Sequence, residues 1–146
     1  MATKLFDPGQ VSLSWNGIII SGYIDGTMIE AERYEDSNHL KVGADGEALR
    51  IRGKNKSGSI KFTLLQSASA NDLLSAILAA DELMPLVSTA VVTTGAISLV
   101  DNSGSTKISA TDAWIKKWAK VTYGKEAEGR EWTLETGLLT IFVGSN

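Results

Sequence analysis

The side chains able to do chemistry are few and scattered. The chain holds one histidine, His39, and no cysteine. A nucleophilic triad needs an imidazole set between an orienting acid and a hydroxyl or thiol, and nothing local to His39 supplies that set. A histidine-cluster metal site is excluded by count. The lack of cysteine removes thiolate nucleophiles, disulfides and cysteine-ligated zinc or iron–sulfur together. Carboxylates do come in pairs: Glu30/Glu32, Asp45/Glu47, Glu126/Glu128 and Glu131/Glu135. A glycosidase sets two carboxyl groups several ångströms apart across a cleft. Residues i and i+2 on a strand meet that spacing, but so do acids on any solvated strand face, and a hydrolase would also need a cleft and an up-shifted acid.

Two further stretches bear on binding. Val42-Gly-Ala-Asp-Gly-Glu47 is rich in glycine and acid. It lacks the Gly-Lys-Ser/Thr ending of a phosphate loop and does not open onto a helix. It also lacks the alternating oxygen ligands of a calcium loop. Trp114–Lys120 holds two tryptophans and three lysines. That mix suits a stacking nucleic-acid patch or a membrane surface, but the preferred reading packs the tryptophans in a core or an interface and leaves the lysines wet. Asn55-Lys56-Ser57 is a glycosylation sequon, without meaning unless the chain is secreted. No catalytic, cofactor-binding or metal-ligating residue is assigned, and the chain reads as a protein that works through its surfaces.

Composition agrees with one domain over residues 1–146. Hydrophobic residues make up 43% and charged residues 21%, ordinary globular values. With 14 basic and 17 acidic residues the net charge is −3, so there is no overall basic footprint for nucleic acid. The first ten residues carry no apolar signal region. The apolar window Leu73–Ile97 is broken by Asp81, Glu82, Pro85 and Gly95. The expectation is a soluble protein outside the ordinary secretory route.

The elements that carry these residues are mostly strands. Asn16-Gly17 between Val11-Ser-Leu-Ser-Trp15 and Ile18-Ile-Ile20 is a hairpin signal, since a type I′ turn needs positive φ at both central residues. Strands are expected over about 10–15 and 18–24. A long strand is expected from Gly26, with Ile29, Ala31 and Arg33 on one face and Glu30, Glu32 and Tyr34 on the other. A charged, glycine-punctuated excursion follows over about 36–57, with a short strand at Ala48–Arg52. Gly58–Gln66 alternates, with Ile60, Phe62 and Leu64 inward and Ser59, Lys61 and Thr63 outward. Ser69–Leu83 predicts one helix, about 70–83, on the stripe Leu73, Leu74, Ile77 and Leu78, with Ser69 and Asp72 resembling a capping box. Thr89–Val100 is β-branched, Asp101–Ser105 is a turn, and Thr106–Ala110 pairs back. Trp114–Lys120 fits helix or strand, and context favours strand. Gly129–Gly144 predicts a long strand bent at Gly137. The sum is seven to nine strands and one helix: a mainly β sandwich or barrel with a helical cover.

An ordered set of segments resembles the tail tube proteins of contractile-tailed bacteriophages, a family related in fold to type VI secretion tube proteins. The segments begin at Gly22 (YIDGTMIEAERYED), Lys41 (VGADGE), Ser57 (GSIKFTLLQSASANDLLSAI), Ala113 (WIKK), Tyr123 (GKE), Arg130 (EWTL) and Ile141 (FVGSN). Leu83–Gly95 is longer and more apolar than the family pattern, and Trp118-Ala-Lys stands where the pattern has prolines. The resemblance implies a β-sandwich-like barrel with a flanking helix and a structural, non-enzymatic role without cofactors. It implies six-fold rings stacked into a hollow tube inside a sheath. The expected partners are other copies, the tail sheath, baseplate and tail-terminator proteins, and a tape-measure protein and genomic DNA in the lumen. No membrane is implied, and the expected location is the virion tail, assembled in the host cytoplasm.

On that resemblance the excursion becomes an arm that reaches a neighbouring ring, carried by Lys41, Val42, Gly43, Asp45, Gly46, Glu47, Arg50 and Arg52. Glycines 43, 46 and 53 would let it turn, and its charges would form cross-ring ion pairs. DNA must slide without sticking, so a polar, neutral-to-acidic face is expected at the lumen. Glu30, Glu32, Ser59, Lys61 and Thr63 are its candidates. Few charges on Ile60–Leu65 and Leu138–Val143 suggest strand edges covered by neighbours. The alternatives are a bacteriocin or secretion-system tube of the same architecture, or a monomeric β-sandwich binding a ligand through Trp15, Trp114, Trp118 or Trp132.

Overall fold

The computed structural model describes residues 3–83 and 93–145. After a short turn of 3-10 helix, Pro8–Gln10, strands β1 (Val11–Trp15) and β2 (Ile18–Ile20) form the expected hairpin. Asn16 and Gly17 between them have φ of 52° and 81°, the left-handed pair that a type I′ turn demands. The strand expected to reach residue 24 ends at Ile20. Gly22, at φ 85°, turns the chain there, and a Cβ on it would lie 2.7 Å from that of Ala68. The same residue type that kinks the chain also lets it pass close to its neighbour.

The other strands are β3 (Ile29–Arg33), β4 (Asn38–Val42), β5 (Ala48–Arg52), β6 (Gly58–Leu65), β7 (Gly95–Asp101), β8 (Lys107–Lys117), β9 (Gly129–Thr136) and β10 (Thr140–Phe142), with helix α1 (Ala70–Leu83) between β6 and β7. The main sheet is antiparallel in the order β2-β1-β7-β8-β9-β6-β3, with β10 also on β8, while β4 and β5 pair only with each other. The sheet curls back on itself. Leaving β2 at one end of the order, the chain reaches β6 near the other end within three residues, where Tyr23 bridges Leu64. The result is β-sandwich-like, as the alternation predicts.

Residues 118–122 are irregular, so the strand reading of Trp114–Lys120 holds as far as Lys117. The Thr89–Val100 strand is seen from Gly95; its first part lies outside the described residues. The bend at Gly137 is real and costs no register. Thr136 faces Ala113, and four residues further along the chain Thr140 faces Ser109, four residues earlier on antiparallel β8. Between them Leu139 leaves the ladder. Its amide donates to the Lys56 carbonyl at 2.8 Å and its own carbonyl accepts from Arg33 Nε and Nη2 at 2.9 and 2.8 Å.

Alternation fills the core. Leu13, Trp15, Ile60, Phe62, Leu64, Ile97, Trp132, Leu134 and Leu139 are all 3% exposed or less. The helix covers them with Ala70, Leu74 and Leu78, one residue per turn. Leu73, expected in that stripe, is 48% exposed, and Ile77 packs only partly. The scarcity of charge on β6 has a simpler cause than a covered outer edge: β6 is an interior strand, bonded to β9 on one side and β3 on the other.

Candidate assembly surfaces

The excursion is a hairpin rather than a loose loop. β4 and β5 pair in register from Asn38↔Arg52 to Val42↔Ala48, and all ten of their residues are exposed. At the tip the Gly43 amide donates to the Glu47 carbonyl (2.8 Å), the Gly46 amide to the Gly43 carbonyl (3.0 Å), and the Glu47 amide to Asp45 Oδ1 (3.1 Å). Of the three glycines expected to turn the arm, Gly46 alone is left-handed, at φ 89°. Gly53 serves at the root, where a Cβ would come within 2.5 Å of the Asp36 carbonyl oxygen.

Opposed residues of an antiparallel pair share a face. One face of the arm therefore carries Asn38, Leu40, Val42, Ala48, Arg50 and Arg52, and the other His39, Lys41, Leu49 and Ile51. Leu40 is 73% exposed, Leu49 58%, Val42 57% and Ile51 42%. Among the described residues the one ion pair is Lys116–Glu135, so Lys41, Asp45, Glu47, Arg50 and Arg52 are without ion-pair partners in the isolated subunit. Sequence reasoning found the arm and its charges but did not count Leu40, Leu49 and Ile51, whose sidedness needs the pairing register.

The five lumen candidates do share one surface. Glu30 stands opposite Lys61 and Glu32 opposite Ser59. The row continues onto β9, where Ser59 faces Glu135, Lys61 faces Thr133 and Thr63 faces Glu131. Ser59 is 4% exposed, so it supports this face without presenting itself. Glu131 and Glu135 were visible in the sequence only as one more carboxylate pair; antiparallel β6–β9 pairing places them here. Tyr34, just past β3, donates its hydroxyl to Glu135 Oε2 at 2.6 Å. Lys116 Nζ lies 3.9 Å from that carboxylate and 5.6 Å from the Tyr34 ring centre. Desolvation by burial, then the bond to Glu135, pushes the Tyr34 phenol above its ordinary range.

A third surface lies at the far end of the sheet from the arm. Between the start of α1 and the segment 118–123 runs a groove of about 320 Å³, with Trp118, Val121, Tyr123 and Trp132 on its walls. Trp132 is buried and donates Nε1–H to Asn71 Oδ1 at 3.0 Å, which ties β9 to the helix. Trp118 is 45% exposed, donates to Glu82 Oε1 at 2.5 Å and packs 6.4 Å from Trp132, ring centre to ring centre. Arg130, 8% exposed, donates to the Thr122 carbonyl at 3.2 Å and lies over the Tyr123 ring at 5.1 Å. Of the four tryptophans Trp15 is fully buried, and its Nε1–H donates to the Ala113 carbonyl at 3.1 Å.

A curled antiparallel sheet, a covering helix, a projecting hairpin with apolar residues on both faces and a long acidic sheet face define a structural building block. The comparisons agree. The bacteriophage PhiTE tail tube protein family matches residues 12–144, and the chain belongs to that family of structural, non-enzymatic proteins. No curated protein matches. Among solved structures the anti-feeding prophage cap, its tube terminating cap, aligns at 10% identity and TM-score 0.56, over 97% of this chain and 93% of that one. The sheath/tube terminator of an extracellular contractile injection system, PVC, in its extended state, aligns at 10% identity and TM-score 0.57, over 98% of this chain and 100% of that one. The family makes this a structural component of the phage tail, and the structural neighbours share its fold.

Proposed function

We propose that the chain is the repeating subunit of a contractile tail tube, with hexameric rings stacked into a hollow rod whose bore conducts DNA into the host. The observation that carries this reading is the arm. A lone two-stranded ribbon is at best marginally stable in water, and this one exposes large apolar residues on both faces. A neighbouring copy that covers it resolves both problems. The face of Glu30, Glu32, Glu131 and Glu135 suits the bore, because it offers phosphate little to bind. The tape-measure protein and then the genome would occupy that bore without sequence-specific contacts. The sheath would surround the rod, with baseplate and terminator proteins at its ends, all assembled in the host cytoplasm.

A second reading is favoured by one observation: both solved structures above come from tube terminators or caps. Negative-stain electron microscopy at two protein concentrations, with light scattering alongside, separates the two. Hollow rods with six-fold end views that lengthen with concentration are expected of a tube subunit. Single rings that stop growing would mean a terminator. A monomer that persists at both concentrations and ignores added tube seeds would overturn both.

A further inference from the structure

We propose that the groove between α1 and the segment 118–123 is the socket for the arm tip of a second copy; this rests on the tube reading above. The topology sets the two features at opposite poles. The arm leaves the C-terminal end of β3 and returns at the start of β6. The groove is lined by residues that follow the end of β6 (Gln66, Ser67), follow the end of β8 (Trp118, Ala119) and precede or open β9 (Tyr123, Arg130). Because β6 runs antiparallel to both β3 and β9, its two ends mark the two poles. A knob at one pole and a socket at the other make a head-to-tail contact, the kind that propagates as an open-ended stack.

The surfaces also match in chemistry. The arm tip carries Asp45 and Glu47 and no base. The segment beside the groove, 117–125, carries exposed Lys117, Lys120 and Lys125; the neighbouring acids are Glu82, which accepts from Trp118 Nε1–H, and Glu126 and Glu128, which follow the segment. Behind the tip, Val42 is 57% exposed; within the groove, Trp118, Val121 and Tyr123 are 45%, 61% and 79% exposed. Apolar contact and opposite charge thus coincide on both partners. The five residue pairs of the ribbon give it a reach of roughly 17 Å, enough to bridge from one subunit into the next.

The cysteine-free background makes the test direct. Asp45→Cys and Val121→Cys, placed in one chain, form a ladder of disulfide-linked oligomers on mild oxidation if tip meets groove, because the bond needs Cα atoms within about 7 Å. Equal mixtures of the two single variants give covalent heterodimers. In a second measurement, Lys120→Glu with Lys125→Glu raises the concentration needed for rods about tenfold, and adding Asp45→Lys with Glu47→Lys restores it. Wild-type rods accompanied by neither a ladder nor charge-swap rescue would overturn the socket and leave the tube standing. A wild-type chain that never forms rods would instead overturn the tube reading, and the socket with it.

Discussion

Reversing charge on the β3–β6–β9 face tests whether it lines the bore. Glu30, Glu32, Glu131 and Glu135 face Lys61 and Lys116 there, four carboxylates against two ammonium groups. Replacing Glu30 and Glu32 by lysine inverts the ratio to two against four. Four cations on phosphates set a slope of about −3.6 in log K against log salt, so duplex binding should weaken roughly 150-fold between about 50 and 200 mM salt. The folding cost is small. Position 30 lies directly opposite Lys61, and like charges so placed cost about 0.2–1 kcal/mol. The assay pairs anisotropy of a labelled duplex with the purified subunit, electron microscopy of rods, and DNA release from particles built with the variant. The expected result is normal rods, salt-sensitive duplex binding, and slow DNA release that recovers at high salt. Failed assembly would place this face at a subunit interface. Unchanged release at low salt would place it on the outside of the tube.

Deleting 42–52 should leave a folded subunit with an unchanged thermal midpoint that builds no long rods; normal rods would remove the arm from the assembly. Leu74→Ala should cost about 2–5 kcal/mol in a denaturant titration, since Leu74 is 2% exposed, whereas Leu73→Ala should cost under about 1 kcal/mol. Equal costs would mean that the helix packs on the broader stripe. Tyr23 donates its hydroxyl to the Ile20 carbonyl at 2.8 Å, and burial pushes its pKa from 10.0 to about 12. With the folded value above the unfolded one, its contribution to stability is complete below pH 10 and is lost as pH rises through about 12. Denaturation midpoints measured from pH 9 upward should therefore fall less steeply in Tyr23→Phe than in the wild type.

What was legible in the sequence was what one chain segment decides by itself. Asn16-Gly17 dictates its own turn, the alternation of Ile60, Phe62 and Leu64 dictates an inward face, and the interrupted apolar run Leu73–Leu83 dictates a helix. Legibility failed where two segments decide together. Ile20 ends a strand because Gly22 must clear Ala68, a contact 46 residues away in the sequence. Leu73 is left half-exposed because the sheet meets the helix along the line 70, 74, 78. Glu131 and Glu135 join Glu30 and Glu32 only through the β6 register, and Trp118 becomes a groove wall only because the strand stops at Lys117 and Glu82 holds the indole. The family resemblance was recoverable because it rests on segment order, which survives such uncertainty.

On the proposed tube reading, the register of the arm also changes which force is asked to hold copies together. Read from sequence, the arm's offer was its charges, and an exposed pair contributes only about 0–1 kcal/mol. Read from pairing, the arm presents Leu40 and Val42 on one face and Leu49 and Ile51 on the other. Each such side chain, fully covered, contributes about 1.5–3 kcal/mol before the cost of association. Four of them outweigh any plausible set of rim ion pairs, and because they lie on both faces the arm is stabilised fully only when wedged between two surfaces. The charges at the tip are then better suited to steering and register than to strength. Salt should accordingly slow the assembly of rods far more than it loosens rods already formed. Rapid dissolution of finished rods in about 1 M salt, where the screening length falls to about 3 Å, would show that the ion pairs carry the load after all.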